Sequence, residues 1–173
     1  MTELSSQKDK IVQNLIKSTQ PAWIAVAIIC TIQATEGFVL QGIPILYPFI
    51  QNKMALSSSQ IGVISSALLL IGTVTCLLGG WLADVQGVRK VLAFTLFSVA
   101  ALMFIFPLVN SFEILLILAA IIGAIAASIY PTTTRAIKDS VPQRILGLIM
   151  SLKQSSFMLG GAIIAAILPT LAI

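Results

Sequence analysis

Apolar residues fill five long blocks of this chain, and most polar residues lie in the short segments between the blocks. The blocks cover residues 22–47, 61–83, 91–109, 114–129 and 145–173. A helix needs about 20 mostly apolar residues to cross roughly 30 Å of hydrocarbon, and four of the blocks reach that length with their flanking residues. Because lipid cannot satisfy the unpaired backbone groups of open strands, the pattern predicts five membrane-spanning helices.

The composition indicates the same class of protein. Hydrophobic residues make up 58% of the chain and charged residues only 9%, whereas about 25% of residues are charged in soluble domains. The chain contains no histidine, which excludes histidine metal centres and histidine-based catalytic triads. Cys30 and Cys76 both lie in apolar blocks and are expected to behave as small hydrophobic residues. We therefore predict an all-α integral membrane protein that is not an enzyme and has no bound cofactor.

The basic residues alternate between the two sides of the predicted membrane. On one side lie the basic residues that precede the first span and those in the loops after the second and fourth spans. The loops on the opposite side contain only Lys53. The first group is Lys8, Lys10, Lys17, Arg89, Lys90, Arg135, Lys138 and Arg144. Because cytoplasmic loops are enriched in lysine and arginine, we expect a cytoplasmic N-terminus and a multi-pass protein of the inner (plasma) membrane. The same distribution accounts for the net charge of +4 without a nucleic-acid partner.

Local residues indicate where the spans begin and end. Pro44 and Pro48 mark the predicted end of the first span, and Ser57 and Gln60 have the spacing of a capping box at the start of the second. Residues 1–20 have apolar side chains at helical spacing, which predicts either a short amphipathic helix on the cytoplasmic surface or a solvated tail. The approximate spans are 21–48, 58–84, 90–109, 113–136 and 145–173.

The segment between the second and third spans combines glycines with charged residues. Gly80 removes a side chain where two helices approach closely, and Gly87 permits turn conformations that other residues resist. Asp84 lies five residues before Arg89, near enough across a tight turn for a charge pair. The order acid, glycine, base therefore indicates a turn of specified geometry.

Residues 80–90, GWLADVQGVRK, resemble the signature G-x-L-A-D-x-x-G-x-R-K between helices two and three of the major facilitator superfamily. Val85 is a departure, since the family often has a base there. The resemblance implies two six-helix bundles around a central cavity, with alternating access by rocking of one bundle against the other. It also implies a cytoplasmic latch against a helix N-terminus of the other bundle, formed by Gly80, Asp84, Gly87, Arg89 and Lys90. The alternative is that these residues only set the turn.

Five spans are fewer than half of the helices in such a transporter, so the resemblance implies a partial N-terminal bundle. The chain is then expected to be a fragment, a truncated product or one piece of a split transporter. Its partners would be the lipid bilayer, a small-molecule substrate, protons, and the remaining helices in the same full-length chain or in a second chain.

Two polar residues lie at membrane depth in the first span. Glu36 is roughly 21 Å from the inner end of that span, and Gln33 precedes it by three residues, on the same helix face. An ionisable residue at this depth is expensive and is a functional candidate. Many proton-coupled members of the family have an acid in helix one, so the resemblance makes Glu36 a proton or cation site. The alternative is that the span starts later, which leaves Glu36 at the outer interface.

The fifth span contains Lys153 and Gln154, followed by Gly160 and Gly161. Lys153 is predicted either to bind an anionic substrate or to extend to the cytoplasmic surface. The run resembles helix five of bacterial permeases of the cyanate and related organic-anion type. The two glycines predict close helix packing. A direct pair between Lys153 and Glu36 is not expected, because their estimated depths differ by about 9 Å.

These observations predict a secondary transporter for a small organic solute, with an anionic substrate and proton coupling as finer expectations. Proton antiporters of the family usually have an arginine where this chain has Ala119, and a Gly-Pro pair where it has Gly160 and Gly161. Symport or uniport is therefore favoured over antiport. The alternative is a non-transporting five-helix membrane protein that acts as an assembly partner or is a degenerate product.

Overall fold

Six α-helices form the described part of this computed structural model, which covers the backbone of residues 2–171 and the side chains of residues 23–168. The helices are α1 (Thr2–Met54), α2 (Ser58–Gln86), α3 (Val88–Ile105), α4 (Phe112–Ala126), α5 (Ile129–Ser140) and α6 (Leu146–Leu171). Short 3₁₀ turns cover Phe106–Leu108 and Gln143–Ile145. The amphipathic surface predicted for residues 1–20 depends on side chains outside the described residues.

Five helical segments of the described chain are long and apolar enough to cross a membrane. They are Trp23–Met54, Ser58–Gln86, Val88–Leu108, Phe112–Ser140 and Gln143–Leu168. Large apolar side chains point outward over much of the bundle, among them Leu77, Phe97 and Phe104 at 79%, 79% and 81% exposure. Such a surface suits lipid rather than water. The predicted all-α membrane bundle with five spans is confirmed.

The first span continues through both of its prolines instead of ending near them. α1 remains helical to Met54, although Pro44 and Pro48 each lack the N–H that would continue the helical ladder. The two side chains are four residues apart and both are exposed, so their rings do not interrupt the packing of α1 against its neighbours. Transmembrane helices tolerate proline because local adjustments and neighbouring groups satisfy the freed carbonyls.

The connections on either side of α2 follow from their sequences. The capping box predicted before α2 is confirmed: Gln60 N donates to Ser57 Oγ at 3.2 Å and Ser57 N donates to Gln60 Oε1 at 2.8 Å. After α2, Gly87 has a φ of 88°, a left-handed conformation that a residue with a Cβ rarely adopts. Gly87 therefore permits the abrupt turn from α2 into α3, which begins at the next residue.

The fourth span is broken between α4 and α5, and Pro131 accounts for the break. Proline at this position has no N–H for the carbonyl of Ala127, and its ring would collide with that carbonyl in a continuous helix. The Ser128 N–H bonds to the Ile125 carbonyl at 3.2 Å, three residues back. Ser128 Oγ donates to the same carbonyl at 2.7 Å. The break frees α5 from the helical register of α4.

Two pairs of helices make the most extensive contacts, α1 with α6 and α2 with α4. Glycines allow both approaches, because small residues at an interface let helix backbones come close together. A Cβ on Gly160 of α6 would collide with the carbonyl oxygen of Ala34 in α1. A Cβ on Gly123 of α4 would collide with the carbonyl oxygen of Leu68 in α2. The inner faces of α1 and α6 are therefore within side-chain reach of each other.

Two apolar clusters lie on either side of a polar stretch of α1. One cluster is built around Ile43, Tyr47, Leu56, Ile64, Leu68, Phe106, Leu115, Leu118, Ala119 and Ile122. The other contains Val26, Ile29, Ile137, Val141 and Ile149. Along α1, Gln33 and Glu36 fall between Ile29 of the second cluster and Ile43 of the first. The packed core therefore encloses these two polar side chains from both directions along the helix.

Candidate functional site

A buried hydrogen-bond network holds Glu36 among the helices. Gln33 and Glu36 are 1% and 4% exposed, and they share one face of α1 because they are three residues apart. Gln33 Nε2 donates to Glu36 Oε2, and Thr133 Oγ1 of α5 donates to Gln33 Oε1 at 3.1 Å. The carboxylate is thus linked to α5 through the amide of Gln33.

Lys153 is held inside the bundle by neutral groups. Its side chain is 2% exposed, and Nζ donates to Thr134 Oγ1 at 2.7 Å and to the Tyr130 carbonyl oxygen at 3.1 Å. Nζ also lies 3.9 Å from the centre of the Tyr130 ring, which is within cation–π range. The ammonium group therefore points into the bundle in this structure and does not extend to either end of it.

The acid and the base do not pair with each other. Among the described residues, no ion pair joins Glu36 to Lys153, in agreement with the difference in depth expected from the sequence. Each group is tied instead to one of two adjacent residues of α5, Thr133 for the acid and Thr134 for the base. We call the five residues Gln33, Glu36, Thr133, Thr134 and Lys153 the polar layer.

Two cavities adjoin the polar layer. One has a volume of about 340 Å³, and its polar lining includes Gln33, Glu36, Tyr130 and Gln154. The other has a volume of about 420 Å³ and is lined by Tyr130, Met150, Ser151, Lys153 and Gln154. Both volumes are in the range of small-molecule sites. Because Tyr130 and Gln154 border both cavities, a ligand of modest size could contact the surroundings of the acid and of the base.

Gly160 and Gly161 lie where α6 crosses α1. Gly160 faces the Ala34 backbone, as described above, and a Cβ on Gly161 would collide with the side chain of Gln41. On the other side of the same contact, a Cβ on Gly37 would collide with the carbonyl oxygen of Phe157. This close approach brings Lys153 and Gln154, about two turns earlier on α6, to the side of the bundle that faces α1.

The charged residues near the Gly87 turn pair differently from the prediction. Asp84, near the end of α2, forms an ion pair with Arg135 of α5, and Arg135 Nε lies 3.7 Å from Asp139 Oδ2. The predicted pair between Asp84 and Arg89 is wrong: Arg89 makes no ion pair within the described residues. The physical reason is the close approach of α5 to α2, which Gly79 permits because a Cβ there would collide with the residue preceding α5.

The other residues of the proposed latch lie apart from this ion pair. Gly80 faces the start of α5, where a Cβ would lie 3.6 Å from Pro131 Cβ. Arg89 and Lys90 are exposed in the first turn of α3. The motif therefore combines a helix contact, a turn and an ion pair, with two further bases left at the surface.

Sequence reasoning missed the contribution of α5. Tyr130, Thr133 and Thr134 supply the neutral oxygens of the site, yet none was singled out. The pattern that could have indicated them is the run of three threonines directly after Pro131, inside the predicted fourth span (113–136). Hydroxyl groups at membrane depth need hydrogen-bond partners, and in helices they often bond to carbonyls or across to another helix.

Comparison with known families extends these observations to almost the whole chain. The sequence profile of the Major Facilitator Superfamily matches residues 23–173, a range that includes both the Gly87 turn and the polar layer. This chain belongs to the major facilitator superfamily. The resemblance predicted from residues 80–90 is thus confirmed, and this facilitator chain is a multi-pass membrane protein of a transporter family.

A curated relative is similar to this facilitator chain over much of its length. The two are 33% identical over 123 residues, and the relative is a protein of Cupriavidus necator named probable sulfoacetate transporter SauU. The matched segment covers 70% of this chain but only 28% of the relative. The matched segment therefore spans less than a third of the length of that relative.

Proposed function

We propose that this facilitator chain forms part of a secondary transporter that moves a small organic anion by alternating access. Alternating access follows from the family, in which one bundle rocks against the other around a central site. The name of the relative, a probable sulfoacetate transporter, supports an organic anion of small size. The remaining helices of the transporter would complete the central site, either in the same full-length chain or in a second one.

The observation that carries this proposal is a buried lysine that forms no direct ion pair with a carboxylate among the described residues. The Lys153 ammonium has three hydrogens to donate, and two of them go to neutral oxygens of Tyr130 and Thr134. An ionised group inside a membrane is costly, and neutral oxygens offset only part of that cost. An anion bound from the adjoining cavity of about 420 Å³ would supply the missing opposite charge and accept the third hydrogen bond.

We assign Glu36 as the proton site of this transporter. It is buried, it faces the other cavity beside the polar layer, and its hydrogen-bond partner is a neutral amide that suits either protonation state. A proton on Glu36 would remove a negative charge from the neighbourhood of Lys153 and so favour an anion there. This electrostatic relation supports symport of the anion with a proton.

The Gly87 turn is proposed to face the cytoplasm and to form half of a latch. The alternation of basic residues supports a cytoplasmic N-terminus in the inner membrane, which orients this turn in the same direction. Asp84 and Arg135 are about half exposed, so their pairing can break and re-form at low cost. The other half of the latch would come from the remaining helices.

Uptake of labelled sulfoacetate and other short organic anions by cells that express the full-length protein tests the proposal. We expect Lys153→Gln to lower kcat/KM roughly 100-fold or more, since loss of one partner of a buried charge pair costs about 2–5 kcal/mol. Lys138→Gln is the matched control, because Lys138 is an exposed lysine of α5. Wild-type uptake by the Lys153→Gln protein, at an equal amount in the membrane, would contradict anion binding at this site.

A further inference from the structure

The order of hydrogen bonds around Gln33 depends on whether Glu36 is ionised. An ionised carboxylate only accepts hydrogen bonds, so Gln33 presents its amide N–H to Glu36 and its carbonyl oxygen to Thr133. The Thr133 hydroxyl must then donate to Gln33. Its single hydrogen serves one acceptor at a time, so Gln33 competes for it with the carbonyl oxygens of Ile129 and Tyr130 in the same helix.

Protonation of Glu36 reverses this order. The carboxylic acid now has an O–H to donate, and the best acceptor beside it is the carbonyl oxygen of Gln33 once the amide has turned over. The amide N–H of Gln33 then faces Thr133, whose hydroxyl oxygen accepts. The Thr133 hydrogen becomes free to bond within α5, where the carbonyl oxygens of Ile129 and Tyr130 lie 2.8 Å and 3.0 Å from Oγ1.

The Tyr130 carbonyl oxygen already accepts a hydrogen bond from Lys153. This oxygen lies 3.1 Å from Lys153 Nζ and 2.7 Å from Thr134 Oγ1, besides its place in the helical ladder of α5. A carbonyl oxygen has two lone pairs, so a further hydroxyl directed at it competes with the ammonium. A Thr133 hydroxyl released from Gln33 can bond to the carbonyl of Ile129 or to that of Tyr130. In the second case it weakens the bond between Tyr130 and Lys153.

We propose that Thr133 is a positioning residue that transmits the protonation of Glu36 to Lys153 through the carbonyl oxygen of Tyr130. The proposal rests on the function assigned above to Glu36 and Lys153. With Glu36 ionised, Thr133 holds Gln33, and Lys153 stays bonded to Tyr130. With Glu36 protonated, Thr133 turns to its own helix, and Lys153 is freer to bind the anion. Binding of the proton then raises the affinity for the anion, and binding of the anion raises the affinity for the proton, as linkage requires for a symporter.

The other groups that face Glu36 offer no equivalent link. The titratable or charged groups that border the same cavity are Tyr130 of α5 and Cys76 of α2, and Lys153 of α6 acts on the carboxylate through its charge. The described side chains of α3 and α4 on the opposite side of Glu36 are apolar; they are Leu96, Val99, Ala100, Met103 and Ala126. Among the described residues, the hydrogen bond that joins the acid network to α5 is the one made by Thr133.

The pH dependence of the KM for anion uptake tests the proposal in the full-length transporter. In the wild-type protein we expect the KM to rise roughly fivefold or more from low to high pH, the lower range of typical coupling between two sites. Thr133→Val removes the hydroxyl at a similar side-chain volume, and the pH dependence of the KM should then be smaller than in the wild-type protein. What remains is the part that comes from the direct electrostatic interaction of Glu36 with Lys153. Thr133→Ser restores a hydroxyl and should restore the dependence.

Two neighbouring threonines of α5 provide matched controls. Thr132 is also fully buried, but within the described part of the chain its hydroxyl bonds to the Ser128 carbonyl alone, at 2.6 Å; Thr132→Val should leave both the KM and its pH dependence unchanged. Thr134 bonds to Lys153 directly, so Thr134→Val removes one neutral partner with which the anion competes. It should lower the KM roughly tenfold at every pH, in the range of a hydrogen bond to a charged group. Its KM should still respond to pH.

The outcomes separate this proposal from the function on which it rests. If Lys153→Gln leaves uptake intact, the anion site itself is contradicted. If Lys153→Gln abolishes uptake but Thr133→Val keeps the wild-type pH dependence of KM, the route through Thr133 is overturned while the anion site stands. Should Thr133→Val not reach the membrane, Gln33→Met breaks the same link from α1, and a wild-type pH dependence in that variant would equally overturn the proposal.

Discussion

The polar layer and the Gly87 turn each contain an acid and a base on different helices. The two differ in how exposed these charged groups are and in whether they form an ion pair. Asp84 and Arg135 are 52% and 46% exposed and pair directly. Glu36 and Lys153 are 4% and 2% exposed and do not pair. Water screens the exposed pair, which is therefore worth about 1 kcal/mol or less, whereas an uncompensated buried charge costs several kcal/mol. On the proposed function, we therefore expect substitutions in the polar layer to change anion binding strongly and substitutions at the turn to shift conformational states only slightly.

Among the acids of the two regions, the largest effect should come from neutralising the buried one. Glu36→Gln keeps the shape of the side chain and its bond to Gln33 but cannot exchange a proton. We expect accumulation of the anion driven by a pH gradient to fall roughly tenfold or more, since coupling between two sites is typically 5–150-fold. The measurement is anion uptake into vesicles with and without an imposed pH gradient.

An exposed acid provides the control for that experiment. Glu113 begins α4 and is exposed, with Ser111 Oγ donating to its carboxylate at 2.5 Å. Glu113→Gln should leave gradient-driven uptake within about twofold of wild type, as surface substitutions rarely change more than about 0.5 kcal/mol. Uptake by the Glu36→Gln protein that still follows the pH gradient would show that the proton binds elsewhere.

The sequence predicted each region in part, and for different reasons. The five spans were predictable because a run of about 20 apolar residues has one stable outcome in a bilayer. Glu36 and Lys153 stood out because ionisable residues at that depth are rare. The identity of their partners was not predictable, since the register of α5 depends on the break at Pro131 and on how closely α5 then packs.

At the Gly87 turn, too, the sequence predicted the local geometry but not the contact between helices. Its motif was clear in the sequence, and the φ of Gly87 agrees with the turn it predicts. Arg89 was chosen as the partner of Asp84 because it is near in sequence, whereas the structure pairs Asp84 with Arg135 of another helix. Local spacing identified the turn, but the ion pair depends on packing between α2 and α5.

A smaller effect is expected from breaking the exposed pair. If the turn is half of a latch that stabilises the outward-open state, Asp84→Asn should shift the full-length protein towards inward-open states. An exposed ion pair of about 1 kcal/mol or less corresponds to a shift of roughly two- to fivefold. Cys76 borders the cavity beside Glu36 and can report this shift through its rate of labelling by a membrane-impermeant thiol reagent added outside.

The reporter experiment needs a background in which Cys76 is the reactive thiol of this segment. Cys30→Ala removes the other cysteine of the chain. In that background, Asp84→Asn should slow the labelling of Cys76 from outside, and Arg135→Gln should slow it to a similar extent because it breaks the same pair. Labelling at the parental rate in both variants would mean that the pair sets the turn without biasing the conformational states.

The smallest effect should come from the second acid near Arg135. Asp139 lies one turn further along α5, with its Oδ2 3.7 Å from Arg135 Nε, and its side chain is 64% exposed. Pairs of this kind on a helix surface contribute only about 0.3–0.5 kcal/mol, and water and salt reduce that further. Asp139→Asn should therefore change Cys76 labelling by less than about twofold, whereas Asp84→Asn changes it more. An equal or larger effect of Asp139→Asn would mean that Arg135 is held mainly within α5. The Asp84–Arg135 pair would then not be the interaction that links α2 to α5 at the turn.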